Sequence, residues 1–205
     1  MQASSATHEW MNSWKKFQQG NFSVLGDVFQ LLYKELYYYG LKIVPMPDLV
    51  KDTIQDLFVD IWHRRKKMTE IGNIKAYLFI AVRRKLLRCI ETIRKENKAE
   101  NLPQEPFIFS VEDFLINEED NSDVYTQLIQ SMQKLTDRQR EVILLRFNHE
   151  LEFSEISMIM GINIQSVRNL LFRSLQNIRK DMNDAGIKGT DDIEVFLFYI
   201  FRHKK

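Results

Sequence analysis

Apolar residues in this chain return every three or four positions over stretches much longer than a β-strand. Val50, Ile54, Leu57 and Ile61 form one such run, and Ile164, Val167, Leu171, Leu175 and Ile178 form another. This spacing places side chains on one face of a helix, whereas a half-buried strand needs strict alternation. Only seven glycines and four prolines interrupt the pattern in 205 residues. An all-α chain is expected.

The breaks suggest an organisation. VPMP at 44–47 ends a first long helix or helix pair that starts near Phe22, because proline cannot continue a helix interior. A second helix is predicted from near Asp48 to His63 and a third from Ile74 to Arg94, with the basic loop RRKKMTEIGN between them. Helical periodicity returns from Tyr125 to Met182, with Thr136 as an N-cap and Val142, Ile143, Leu144, Leu145 and Phe147 as core. A last helix should open at Thr190, Asp191 and Asp192 and end near Arg202, its charges matching the helix dipole at both ends. The predicted layout is a first helical domain over 8–98, a linker over 99–124, a second helical domain over 125–182 and an aromatic tail over 183–205.

The net charge of +1 conceals a segregation. Residues 64–95 hold eleven bases against two acids, +9, and residues 99–123 hold eight acids and no base, −8. The linker is therefore acidic and the third helix basic. That helix mixes Lys75, Arg83, Arg84, Lys85 and Arg88 with Tyr77 and Phe79. Single-stranded nucleic acid needs such a set, a charged track for phosphates and flat rings for bases. The two aromatics read equally as core residues.

In GINIQSVRNLLFRSLQNIRK, residues 161–180, the apolar stripe faces one way. Gln165, Ser166, Asn169, Arg173, Gln176 and Lys180 face the other, with Arg168 nearer the apolar edge. Upstream, FSEISMIM reads as a short helix capped by Ser154, with Ile156, Ile159 and Met160 turned inward. Gly161 suits the corner between them, since only glycine reaches positive φ without steric cost. Short helix, glycine corner and longer helix with a polar outer face make a helix-turn-helix. No Asp or Glu occurs from Ile156 to Lys180, as suits a surface facing phosphates.

In the second helix Asp48, Asp52, Asp56 and Asp60 recur every fourth residue. Four like charges on one exposed face repel one another mildly, and a basic partner would relieve the repulsion. The reading therefore stays open between a solvated face and a docking surface.

Catalytic chemistry has little to stand on. The four histidines are scattered, His149-Glu150 lacks the second histidine of a zinc motif, and Cys89 has no second cysteine. No catalytic, metal or cofactor residues are expected. A single cysteine, no signal-like apolar core at the start and no run near the roughly 20 apolar residues of a membrane span point to a cytoplasmic chain.

Together DTIQDLFVDIW, YLFIAVRRKLLRCIETIRK and LTDRQREVILLRF with the following helix-turn-helix resemble the extracytoplasmic-function sigma factors of bacterial RNA polymerase. The resemblance covers about residues 20–98 and 125–181. It implies a non-enzymatic promoter-specificity subunit whose partners are core RNA polymerase and promoter DNA, as duplex and as melted non-template strand. Asp52, Gln55, Asp56 and Phe58 fall on the family's polymerase-binding pattern. Lys75, Tyr77, Arg83, Arg84 and Arg88, with Asn73 in the preceding loop, would engage the minus-ten region. Gln165, Ser166, Arg168, Asn169 and Arg173 would enter the major groove of the minus-thirty-five element. Where the family commonly has Asn and Asp, this chain has Arg84 and Arg88, so the resemblance implies phosphate contact there. The acidic linker would lie along the path of nascent RNA. Family members are often held by an anti-sigma partner. The alternative is a free-standing helix-turn-helix regulator with a dimerising or sensing N-terminal domain, which leaves the acidic helix, basic helix and linker unexplained.

Overall fold

A computed structural model describes residues 13–95, 123–187 and 193–202. All regular structure among these residues is helical. The chain divides into two compact units, residues 1–106 and 107–205.

In the first unit, α1 (Phe22–Ile43), α2 (Pro47–Arg64) and α3 (Ile74–Lys95) pack each against the other two. Asn21 starts α1, its Oδ1 accepting the Ser23 N–H at 3.0 Å. Val44 ends it in extended backbone, and Pro47 begins α2, where the missing proline N–H costs no helical hydrogen bond. The core joins Leu32, Leu36 and Tyr39 of α1, Val50, Ile54, Leu57 and Ile61 of α2, and Leu78, Phe79, Val82 and Leu86 of α3, all buried. The predicted stripe of α2 thus faces inward along its whole length. Before α1, Trp14 and Phe17 are also buried, with the Phe17 ring tilted against that of Trp62, centroids 6.2 Å apart.

At Gly40, α1 lies close against α2 and α3. A Cβ there would lie 2.6 Å from Val50 Cγ1 and 3.2 Å from Leu86 Cδ1. Val50 and Leu86 are fully buried and stiffly packed, so neither tip can swing aside. Gly40→Val should destabilise the first unit by about 1–3 kcal/mol through overpacking, read as a lower urea midpoint with unchanged slope.

The second unit holds α4 (Asp123–Gln133), α5 (Asp137–Ile143), α6 (Phe153–Met160), α7 (Ile164–Asp184) and α8 (Ile193–Arg202). Thr136 caps α5 as expected and closes a reciprocal box with Gln139. α5 runs on through a wider turn over Leu144–Asn148, where His149 N–H reaches back five residues to the Leu144 carbonyl. The core gathers Leu128, Met132, Val142, Ile143, Leu145, Ile156, Val167 and Ile178. Ile193 and Leu197 of α8 are buried as well, and Phe198 meets Phe147 edge-on at 4.7 Å. Through Ile193, Leu197 and Phe198, α8 thus packs on its own unit.

Two boundary expectations need correction. Ser154 does not cap α6: the helix opens two residues earlier with Glu152 as N-cap, and Glu155 folds back to accept the Glu152 N–H at 2.6 Å. Two carboxylates at the positive end of a helix outcompete one hydroxyl. Ile164 does not join the buried stripe either. Asn163 caps α7, its Oδ1 accepting the Ser166 N–H at 2.7 Å, which leaves Ile164 in the first turn and 42% exposed. Residues 99–122 of the acidic linker and Thr190–Asp192 lie outside the described residues, and α4 opens at Asp123, inside the expected linker.

Candidate polymerase and nucleic-acid interfaces

The acidic face of α2 is shorter than its sequence suggests. Asp48, Asp52 and Asp56 are exposed, with Gln55 beside them. Asp60 is not part of a free acidic stripe, because Lys85 of α3 binds its carboxylate at 2.7 Å. That ammonium, hydrogen-bonded to the carboxylate, holds the Asp60 carboxyl below its ordinary range. Phe58 is buried and meets Phe29 of α1 edge-on at 5.0 Å, so it supports this face from beneath. Val59, 53% exposed, supplies an apolar contact next to the acids. Acids around an exposed apolar spot can meet a basic partner surface.

α3 sorts its bases. Lys75 pairs with Glu35 of α1 at 2.8 Å and Lys85 with Asp60, so both are spent within the unit. Arg83 and Tyr77 are half-buried, and Phe79 is fully buried against Tyr39, ring centroids 4.9 Å apart. The open reading of Phe79 closes on the core. Arg84 and Arg88 are exposed one turn apart, and exposed Lys95 continues their row. Asn73 opens α3, its Oδ1 accepting the Ala76 N–H at 2.9 Å. At the end of α2 the exposed Arg64, Lys66 and Lys67 lie near the negative helix terminus. Arg65 is drawn back over Trp62, 3.9 Å from the ring centroid, with Nη1 donating to the Trp62 carbonyl.

α6, Gly161 and α7 form the expected corner. Gly161 has φ +66 and ψ +34, the left-handed region, and the Ile162 N–H returns to the Ser157 carbonyl. Gln165, Arg168, Asn169 and Arg173 are exposed, and Ser166 is half-buried. Gln165 Nε2 donates to Asn169 Oδ1 at 3.0 Å, so the two amides present one joined polar surface. Phe172 stands among them 61% exposed. Sequence reading passed over it, though an aromatic one residue before Arg173 on the outward face was a visible signal. Arg168 lies over the Phe153 ring at 5.5 Å, at the edge of the exposed face. The result is an acid-free helix surface with hydrogen-bonding, cationic and apolar groups, the set a major groove can be read with.

The first unit is thus a three-helix bundle with an exposed acidic face and a basic third helix, and the second is built on a helix-turn-helix. The sigma-70 region 4 family model matches residues 131–180, the span from α4 through most of α7. The chain is similar to the ECF RNA polymerase sigma factor SigM of Bacillus subtilis (strain 168), 21% identical over 155 residues, covering 76% of this chain and 93% of that one. It is also similar to the RNA polymerase sigma factor SigO of the same organism, 31% identical over 103 residues, covering 49% and 58%. Among solved structures it shares its fold with the sigma factor RpoE in complex with the anti-sigma factor NepR from Bartonella quintana, at a TM-score of 0.54 and 16% identity, covering 77% and 96%. The fold likewise matches CnrH in complex with the cytosolic domain of CnrY, at a TM-score of 0.55 and 18% identity, covering 85% and 97%. The chain thus carries a sigma-70 region 4 segment and is similar over most of its length to an extracytoplasmic-function RNA polymerase sigma factor. No described helix is long and apolar enough to cross a membrane.

Proposed function

We propose that the first unit docks on core RNA polymerase through Asp52, Gln55 and Asp56, with Val59 as the apolar contact and Phe58 as its support. Arg84 and Arg88 then hold the phosphates of the minus-ten region, with Arg83, Tyr77 and the loop to Asn73 beside the melted non-template strand. Lys75 orders α1 against α3 for that contact. The second unit places α7 in the major groove of the minus-thirty-five element, with Gln165, Asn169 and Arg173 at base edges, Ser166 and Arg168 near the backbone, and Phe172 against thymine methyl groups. Functional boundaries at 8–98, 99–124, 125–182 and 183–205 fit this division, with the −8 linker suited to a path that carries a polyanion. The protein works in the cytoplasm, and an anti-sigma partner would act by covering these faces.

The observation that carries the proposal is the outer face of α7 from Gln165 to Lys180, exposed and free of acids behind the Gly161 corner. The free-standing regulator is disfavoured because the similarity to SigM spans 76% of the chain, well beyond the helix-turn-helix. Arg173→Ala tests the reading. It should cost about 1–3 kcal/mol for the preferred duplex and relax preference at one base position, measured by competition among single-base variants. An equal loss over all sequences would make Arg173 a phosphate contact.

A further inference from the structure

Two arginines share one aromatic ring in the second unit. The Arg168 guanidinium lies 5.5 Å from the Phe153 ring centroid, and the Arg146 guanidinium lies 5.2 Å from the same ring. Both fall within the range at which a cation is held by an aromatic face. They are not equivalent. Arg146 is anchored: its Nη1 donates to the Leu151 carbonyl at 3.0 Å, and the Glu152 carboxylate stands 3.8 Å away. Its guanidinium also lies 5.9 Å from the ring of Phe198 on α8, which itself packs on Phe147. Arg168 is exposed on the outward side of α7. Phe153 is the first residue of α6, fixed in place by the Glu152–Glu155 cap.

We propose that Phe153 is a positioning residue that pre-orients Arg168 for duplex DNA, with Arg146 bracing the ring. The inference rests on the reading of Arg168 as a DNA contact and adds a reason for its aim. A free arginine samples many rotamers and must give them up on binding. One already laid on a fixed ring has surrendered part of that freedom beforehand. A second guanidinium at the ring, held by a backbone carbonyl and a carboxylate, keeps Phe153 from turning away with Arg168. It also adds positive charge near the phosphates. The helix after the helix-turn-helix thereby gains a link to DNA reading, from Phe198 through Arg146 and Phe153 to Arg168.

The test uses the full chain assembled with core RNA polymerase and a fluorescent duplex, the one most enriched by that complex from a random-sequence pool. Phe153→Leu, and Phe153→Met as a variant that keeps more of the volume, should each weaken binding about two- to tenfold. Phe153→Tyr, which keeps the ring, should restore it. In an Arg168→Ala background the Phe153 changes should add no further loss. A purely structural role for Phe153 would instead give losses that add to Arg168→Ala. Additive losses, unchanged affinity for Phe153→Leu and Phe153→Met, or tighter binding by either overturn the proposal while leaving Arg168 as a DNA contact. If Arg168→Ala itself binds as well as the wild type, the underlying reading of Arg168 fails, and this inference falls with it.

Discussion

Asp52→Arg together with Asp56→Arg should weaken binding to core RNA polymerase at least about a hundredfold, because like charges set against each other across an interface cost several kcal/mol. The two carboxylates lie one turn apart on the exposed face of α2, over a core of Val50, Ile54, Leu57 and Ile61 that the changes do not touch. The fold should therefore survive, with helical circular dichroism and melting temperature close to those of the wild type. The double variant makes the pair at positions 48 and 52 attractive, while the arginines at 52 and 56 still repel each other, so the change in stability should be small. Fluorescence titration of labelled chain with core polymerase measures the effect. Unchanged affinity in a folded double variant would move the docking surface away from α2.

Phe79→Ala should destabilise the first unit by about 3–5 kcal/mol, the usual cost of emptying a buried aromatic site. Phe79 is fully buried, packed on Tyr39 between α1 and α3. In a unit of this size that loss lowers the melting temperature by more than about 10 °C. A base-stacking residue behaves in the opposite way: its alanine variant melts normally and loses affinity for single-stranded DNA. Calorimetric melting thus separates the two roles. A normal melting temperature for Phe79→Ala would contradict the packing described here.

Most of the helical layout could be read from spacing alone. Val50, Ile54, Leu57 and Ile61 point where a three-and-four repeat says they must, since a helix has one phase and its apolar face has one place to go. The proline pair at 45 and 47 and the glycine at 161 marked their breaks because each restricts the backbone locally. What spacing does not contain is the neighbouring helix. Asp60 read as the fourth acid of an exposed stripe until Lys85, 25 residues away, proved to be its partner. Lys75 read as one of the minus-ten contacts, and spacing gave no sign that Glu35 of α1 pairs with it. Phe58 sits one residue from the centre of the inward stripe, and only the position of Phe29 decides that it is covered. At helix starts the difficulty is local competition. Glu152 and Ser154 can both cap, and the reciprocal bond from Glu155 tips the balance. Phe172 was overlooked for another reason: an outward aromatic breaks the polar pattern of its face, and such breaks tend to mark contact surfaces.

The most direct test of the account is size-exclusion chromatography of the purified chain with bacterial core RNA polymerase in the absence of DNA. The account predicts a stable one-to-one complex that elutes together, and its loss in the Asp52→Arg, Asp56→Arg variant. A chain that elutes apart from the polymerase and binds duplex DNA tightly as a dimer would contradict it.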